Sequence, residues 1–251
     1  MPKESRIEWT DYTWNPVTGC TKISEGCRHC YAERMAKRLL AMRTQRYSRG
    51  FEVTLHDDLV RLPLQLRHPR VIFVNSMSDL FHEDVPTVFI ERIFDTMAAC
   101  PQHVFQVLTK RSRRLRMLAK SLPWPDNVWM GVTVENKDVQ DRVADLQTVP
   151  AKVRFLSLEP LLGPIDNLPL IGVSWAIVGG ESGPGARPMS RTWVEAIRGQ
   201  CRSAGVAFFF KQWGGVQKHR AGRMLNGRTY DEMPPLNLPS MAVAGRQVLT
   251  A

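Results

Sequence analysis

"VIFVNSMSDLF", residues 71–81, opens with four apolar residues that do not alternate before the chain turns polar. A strand with one wet face alternates. An unbroken apolar run this short reads as a strand covered on both faces, as in a parallel sheet flanked by helices. The same pattern recurs in "HVFQVLTK" (103–110), "VWMGVTVEN" (128–136), "VRFLSLEP" (153–160), "WAIVGGESG" (175–183) and "VAFFFKQWGG" (206–215). Helix-like segments lie between them, among them "VPTVFIERIFDTMAAC" and "SRTWVEAIRGQCRSAG", the second bounded by a Ser cap and Gly205. With one further strand before Cys20, these runs make an α/β repeat, a partial or closed parallel β/α barrel (TIM-like) of six to seven strands. Residues 1–235 are expected to form this one domain. Residues 236–251, without a clear period, read as an irregular tail or a partner-contact segment.

Composition narrows the function classes. A chain of 251 residues with 43% apolar content can bury one large core. No apolar run approaches the roughly 18–20 residues that span a bilayer. The start, "MPKESRIEWTDYTW", lacks the apolar centre of a secretory signal. A cytoplasmic protein without membrane contact is the expectation. Five cysteines, an odd number in a chain this long, argue against a disulfide framework and for a reducing compartment. The net charge of +10 raises the expectation of a polyanionic partner.

In a β/α barrel the chemistry sits at the carboxyl ends of the strands. Here those ends read Asn75, Ser76, Ser78 and Asp79; Thr109 and Lys110; Thr133, Glu135 and Asn136; Ser157 and Glu159; Glu181 and Ser182; Lys211 and Gln212. Polar residues begin any loop, but a carboxylate at four of these ends points to a shared site.

A second stretch carries the chemistry: "NPVTGCTKISEGCRHCYAERMAKRLL", residues 15–40. Three of the five cysteines, Cys20, Cys27 and Cys30, fall in it with spacing C-x6-C-x2-C, on a loop that leaves the first strand and enters a helix near Tyr31. Thiolates this close repel unless a metal or cluster neutralises them. A structural zinc ion wants four protein ligands, and His29, flanked by Arg28 and Cys30, is an awkward fourth. Cys100 and Cys201 lie in apolar helical patterns and read as inert buried thiols. Three thiolates with one open coordination position suit an iron–sulfur cluster whose fourth iron takes an exogenous ligand. The alternative is a zinc-binding nucleic-acid-binding protein without catalysis.

Three cysteines on the loop after the first barrel strand resemble the radical S-adenosylmethionine (SAM) superfamily. More closely, "WTDYTWNPVTGCTKISEGCRHCYAERMA", "FVNSMSDLFHEDVP", "FQVLTKR", "GVTVEN", "SLEPLLGPI", "GGESGPGARP" and "FFFKQWGG" resemble a phage-associated bacterial family with this three-Cys motif. The resemblance runs over about residues 6–215 in seven ordered blocks. It departs from the superfamily in the first gap, six residues where three are usual, and keeps the second. The resemblance implies a 4Fe-4S cluster on Cys20, Cys27 and Cys30, with SAM on the unique iron. It implies reductive cleavage of SAM to a 5′-deoxyadenosyl radical that abstracts hydrogen from a substrate, and an electron donor to drive it. Carried over position by position, it puts His29 or Tyr31 against SAM, Ser76, Ser78 and Asp79 at its amino group, and Lys110 at its carboxylate. Glu135 and Thr133 are set at the ribose, with Glu159 and Glu181 as ribose or substrate binders.

The substrate is read from charge. "TKRSRRLR" (109–116) follows a strand end, so Arg111, Arg113 and Arg114, with Lys110, are expected to meet phosphates at the barrel mouth. A solvated helix face would look the same. Lys211 belongs to the same rim, and Trp213, like Trp124 and Trp129, offers either a stacking surface for a base or core packing. "GGESGPGARP" lacks the Gly-Lys-Ser/Thr ending of a phosphate loop and reads as a strand-end loop, with Arg187 free for an anion. The expected partner is a nucleic acid or nucleotide, modified or repaired. A protein partner is a further possibility, and the oligomeric state is not legible.

Overall fold

The structure, a computed structural model, describes Ser5 and residues 7–236. From residue 237 onward, the expected tail lies outside the described residues.

Seven strands make one parallel sheet, and they follow one another in space in their order along the chain. They are β1 (Tyr12–Trp14), β4 (Val71–Val74), β5 (Val104–Thr109), β6 (Val128–Thr133), β7 (Val153–Leu158), β8 (Trp175–Gly179) and β9 (Ala207–Gln212). Between β1 and β4 the chain makes an excursion. It contains β2 (Val17–Thr18) and β3 (Thr54–Leu55), a small antiparallel pair, with α1 (Tyr31–Ala41) between them and α2 (Asp57–Val60) after them. The later crossovers carry α3 (Thr87–Ala98), α4 (Ser112–Leu118), α5 (Arg142–Gln147) and α6 (Arg191–Ala204), and α7 (Lys218–Ala221) follows β9. The link from β7 to β8 has no helix. A sheet wound one way by repeated right-handed crossovers curls, and the result is an α/β half-barrel.

The apolar runs form strands because both faces are covered. On the convex face Ile72, Val74, Phe105, Val107, Met130, Val132, Leu156 and Phe210 pack against the helices, with Phe94, Ile90 and Ile197. On the concave face the alternate residues Phe73, Trp129, Phe155, Trp175 and Phe209 gather around Trp9. Trp175 lies edge-on to Trp9 at 6.1 Å, to Trp129 at 6.1 Å and to Phe209 at 6.0 Å. This aromatic floor closes the amino end of the half-barrel. Gly131 makes room for it, since a side chain there would start 2.5 Å from the Phe155 ring.

The helix boundaries follow their local chemistry. α6 begins after Ser190 and stops at Gly205, whose φ of 66° is the left-handed turn that a β-carbon disfavours. The outer edge of β9 is covered, as Phe210 N–H donates to Tyr230 O (2.9 Å) and Phe208 N–H to Glu232 Oε2 (2.9 Å).

Candidate active site

The pleat decides which strand-end residues face the mouth. Side chains alternate along a strand, so the face that holds Phe155 also holds Ser157 and Glu159, and the face of Trp129 holds Thr133. Lys110 and Lys211 take the same face as Val104 and Phe209. Lys110 Nζ reaches Thr133 Oγ1 at 3.4 Å. Lys211 Nζ pairs with Glu159 Oε1 at 2.9 Å across β8. Gly179 permits that crossing, because a β-carbon there would lie 2.7 Å from the Glu159 carboxylate.

Above this rim sits the cysteine loop, stitched down on both sides. Asn15 Oδ1 accepts Met77 N–H (3.0 Å) and the Ser76 hydroxyl (3.2 Å), while Ser78 Oγ donates to Val17 O (2.8 Å). Gly19, at φ 85°, runs so close to the 51–52 backbone that a β-carbon would meet Glu52 O at 2.1 Å. Cys20 N–H then donates to Phe51 O (3.2 Å). Cys27 ends a 3₁₀ turn, and Cys30 is the N-cap of α1. The three thiols are half-buried and free of disulfides. Burial and the Asp79 carboxylate push the Cys20 thiol up to about 11, against the pull of Arg111. Among the described residues no three His, Cys, Asp or Glu side chains are grouped to hold one metal ion, as a zinc site would need. A four-iron cluster takes each thiolate on a different iron, so its ligands need not converge on a point.

Two buried carboxylates brace this loop. Glu135 accepts Ser24 Oγ–H (2.5 Å) and Arg142 Nη1–H (2.8 Å), and Gly26 rests so closely on it that a β-carbon would fall 2.3 Å from Oε1. Glu181 accepts three hydrogen bonds from Arg187 (2.6–3.0 Å) and one from His29 Nδ1–H (3.1 Å). Burial alone would raise the Glu181 carboxyl, but these donors outweigh it and hold it at about 2. Arg187 also reaches Glu25, and Arg34 donates to Ser182 O (2.6 Å), so the loop after β8 is tied to the cysteine loop and to α1.

The sequence-derived residues thus fall into two sets. Tyr31, whose hydroxyl donates to Ser76 O, and Ser76, Lys110, Thr133, Glu159 and Lys211 gather around the mouth. Ser78, Asp79, Glu135, His29 and Glu181 hold the framework. Asp79, for example, accepts Thr109 Oγ1–H (2.7 Å), Phe81 N–H (3.0 Å) and Lys110 N–H (3.0 Å). Arg187 is not free for an external anion, since its partners are Glu181 and Glu25.

The basic run does not open onto the mouth as a phosphate track. Arg111 is buried, and Arg114 donates to His82 O and to Val85 O, because α4 turns these side chains back onto the 82–85 segment. Arg113 stays exposed, 4.0 Å from Asp141. Trp213 packs edge-on against Phe210 at 4.8 Å on the convex side and donates to Met224 O, and Trp129 is floor. Sequence reasoning missed Ser24, Gly26 and Arg34, whose partners are distant in the chain, and Arg142, which lies seven residues from Glu135 with no shared helix to mark the pair.

Residues 4–234 match a family described as "Protein of unknown function (DUF5131)". The chain belongs to this family. No curated protein matches it. Among solved structures it is similar to spore photoproduct lyase in complex with dinucleoside spore photoproduct. There the TM-score is 0.50 at 12% identity, over 71% of this chain and 58% of the lyase. A cysteine-to-serine mutant of the lyase gives 0.51 at 13%, over the same shares. The chain therefore spans little more than half the lyase's length. At this identity the likeness shows the fold alone, a partial parallel β/α barrel.

Proposed function

We propose that this chain is a radical SAM enzyme that acts on a nucleic acid or nucleotide. One observation carries the reading: three free, half-buried thiols on a braced loop at the carboxyl end of the first strand of a seven-stranded parallel half-barrel. The donor set fits a 4Fe-4S cluster, which Cys20, Cys27 and Cys30 would hold. His29 has its Nδ1 tied to Glu181. When bound, the cluster and SAM supply reductive cleavage to a 5′-deoxyadenosyl radical.

The protein's part is placement. Ser76, Tyr31, Lys110, Thr133 and Glu159 offer donors and acceptors on neighbouring strand ends, the arrangement that a methionine zwitterion and a ribose diol require. Ser78, Asp79 and Glu135 hold those ends in register. Lys211 stands at the rim for substrate. The aromatic floor keeps water from entering from below. The nucleotide class is supported by the +10 charge and by the dinucleoside in the similar lyase. Of the basic residues named for phosphate, Arg111 and Arg114 are turned inward, which leaves exposed Arg113 with Lys110 and Lys211.

The reconstituted protein should release 5′-deoxyadenosine slowly alone and about tenfold faster with a cognate oligonucleotide, with that stimulation falling as salt rises. Lys211→Met should lower the stimulation and leave the unstimulated rate in place. If neither DNA, RNA nor nucleotides raise the release above the unstimulated rate, the substrate class is wrong.

A further inference from the structure

Arg111 belongs to a run that reads as solvent-facing, yet it is only 7% exposed. Its Nη1 pairs with Glu83, and its Nη2 donates to Thr21 O (3.2 Å) and to Thr21 Oγ1 (2.8 Å). The guanidinium charge pulls the neighbouring Cys20 thiol down, against burial and Asp79. Its Nε–H is buried with no partner among the described residues. His82 reinforces the arrangement: its Nδ1 accepts Asp84 N–H (3.1 Å), so Nε2 carries the proton and donates to the Thr21 hydroxyl (2.8 Å). Thr21 is the residue after Cys20, so every contact to it fixes the first cysteine.

A buried cation with an unsatisfied N–H is costly unless something negative sits beside it. Glu83, which pairs with Nη1, is an exposed carboxylate. Beside it the buried Asp79 carboxylate and the Cys20 thiol both act on the guanidinium. We propose that Arg111 is a positioning residue for the cluster, anchoring the Cys20 corner through Thr21 and setting a permanent positive charge against it. This rests on the cluster reading above and extends it to the control of reduction. Taking one electron from an external low-potential donor makes no bond and breaks none; it lowers the net charge of the site by one. A fixed cation at that corner stabilises the reduced state. Asp79, the carboxylate also acting on Cys20, opposes it.

Wild type, Arg111→Met, Arg111→Lys and Glu83→Gln would be reconstituted anaerobically, assayed for iron and sulfide, and titrated with dithionite and mediators under EPR. In Arg111→Met the reduced-to-oxidised ratio at the wild-type midpoint should fall about tenfold, a shift of about 59 mV to lower potential for one electron. Glu83→Gln should move the midpoint the other way, and Arg111→Lys should stay near wild type. A merely structural role would not give opposite signs. Unchanged midpoints in both Arg111→Met and Glu83→Gln overturn the proposal. If Arg111→Met takes up no cluster, Glu83→Gln decides: a raised midpoint supports it and an unmoved one overturns it. A wild-type chain that binds no iron and sulfide would overturn the cluster reading, and this one with it.

Discussion

The Cys27→Ala protein, reconstituted anaerobically with iron and sulfide, should fold as wild type does and carry no four-iron cluster. Cys27 ends a short turn and is half-buried, with a weak contact from Ser24 Oγ at 3.7 Å, so Ala removes little packing. The stability change should stay within about 1 kcal/mol. Its thiolate has no substitute. Two thiolates leave two irons without protein ligands, and His29 is committed to Glu181. Iron and sulfide per chain, with the thiolate–iron band at roughly 400 nm, report the loss. Cys100→Ala and Cys201→Ala are the controls: burial pushes the Cys201 thiol up to about 12 and raises that of Cys100, the mark of inert core thiols. Those two variants should keep full iron. Unchanged iron in Cys27→Ala would remove it from the ligand set.

Glu135→Ala should be the most damaging change outside the cysteines. The pair it forms with Arg142 is buried on both sides, at 1% and 8% exposure, and Gly26 and Ser24 of the cysteine loop rest on it. Removing the carboxylate strands a buried guanidinium and undercuts the loop. Breaking a buried pair from one side costs about 3–5 kcal/mol. The urea midpoint of the metal-free protein should fall accordingly, and cluster content should fall with it. Glu135→Ala combined with Arg142→Leu should recover part of the loss, since no buried charge is then left alone. A Glu135→Ala protein with wild-type stability and iron would mean that the loop is held elsewhere.

The strands were legible because a parallel sheet covered on both faces writes itself as short apolar runs, and each run from 71 to 212 is a strand. The cysteine loop was legible from its spacing and from the helix that begins at Tyr31. What stayed hidden depends on distance in the chain. Nothing near Glu135 announces Ser24 as a partner, and nothing near Arg187 announces Glu25; Arg142 is near Glu135, but the turn that joins them leaves no periodic spacing. The basic run misled for a related reason: one-dimensional charge density says nothing about which arginines a helix turns inward, and Arg111 and Arg114 are turned inward. Trp213 follows a strand end as a stacking residue would, but the irregular register where β8 meets β9, at Val178 and Gly179, comes with a ring on the convex side.

The most direct measurement is the EPR spectrum of the reconstituted, dithionite-reduced protein before and after SAM is added, with SAM isotopically labelled at its amino and carboxylate groups. A cluster held by Cys20, Cys27 and Cys30 alone leaves one iron open, so the reduced signal should shift on adding SAM and show coupling to both labels. A colourless protein that binds zinc, or a cluster signal that SAM leaves unmoved, would contradict a radical SAM centre at this loop.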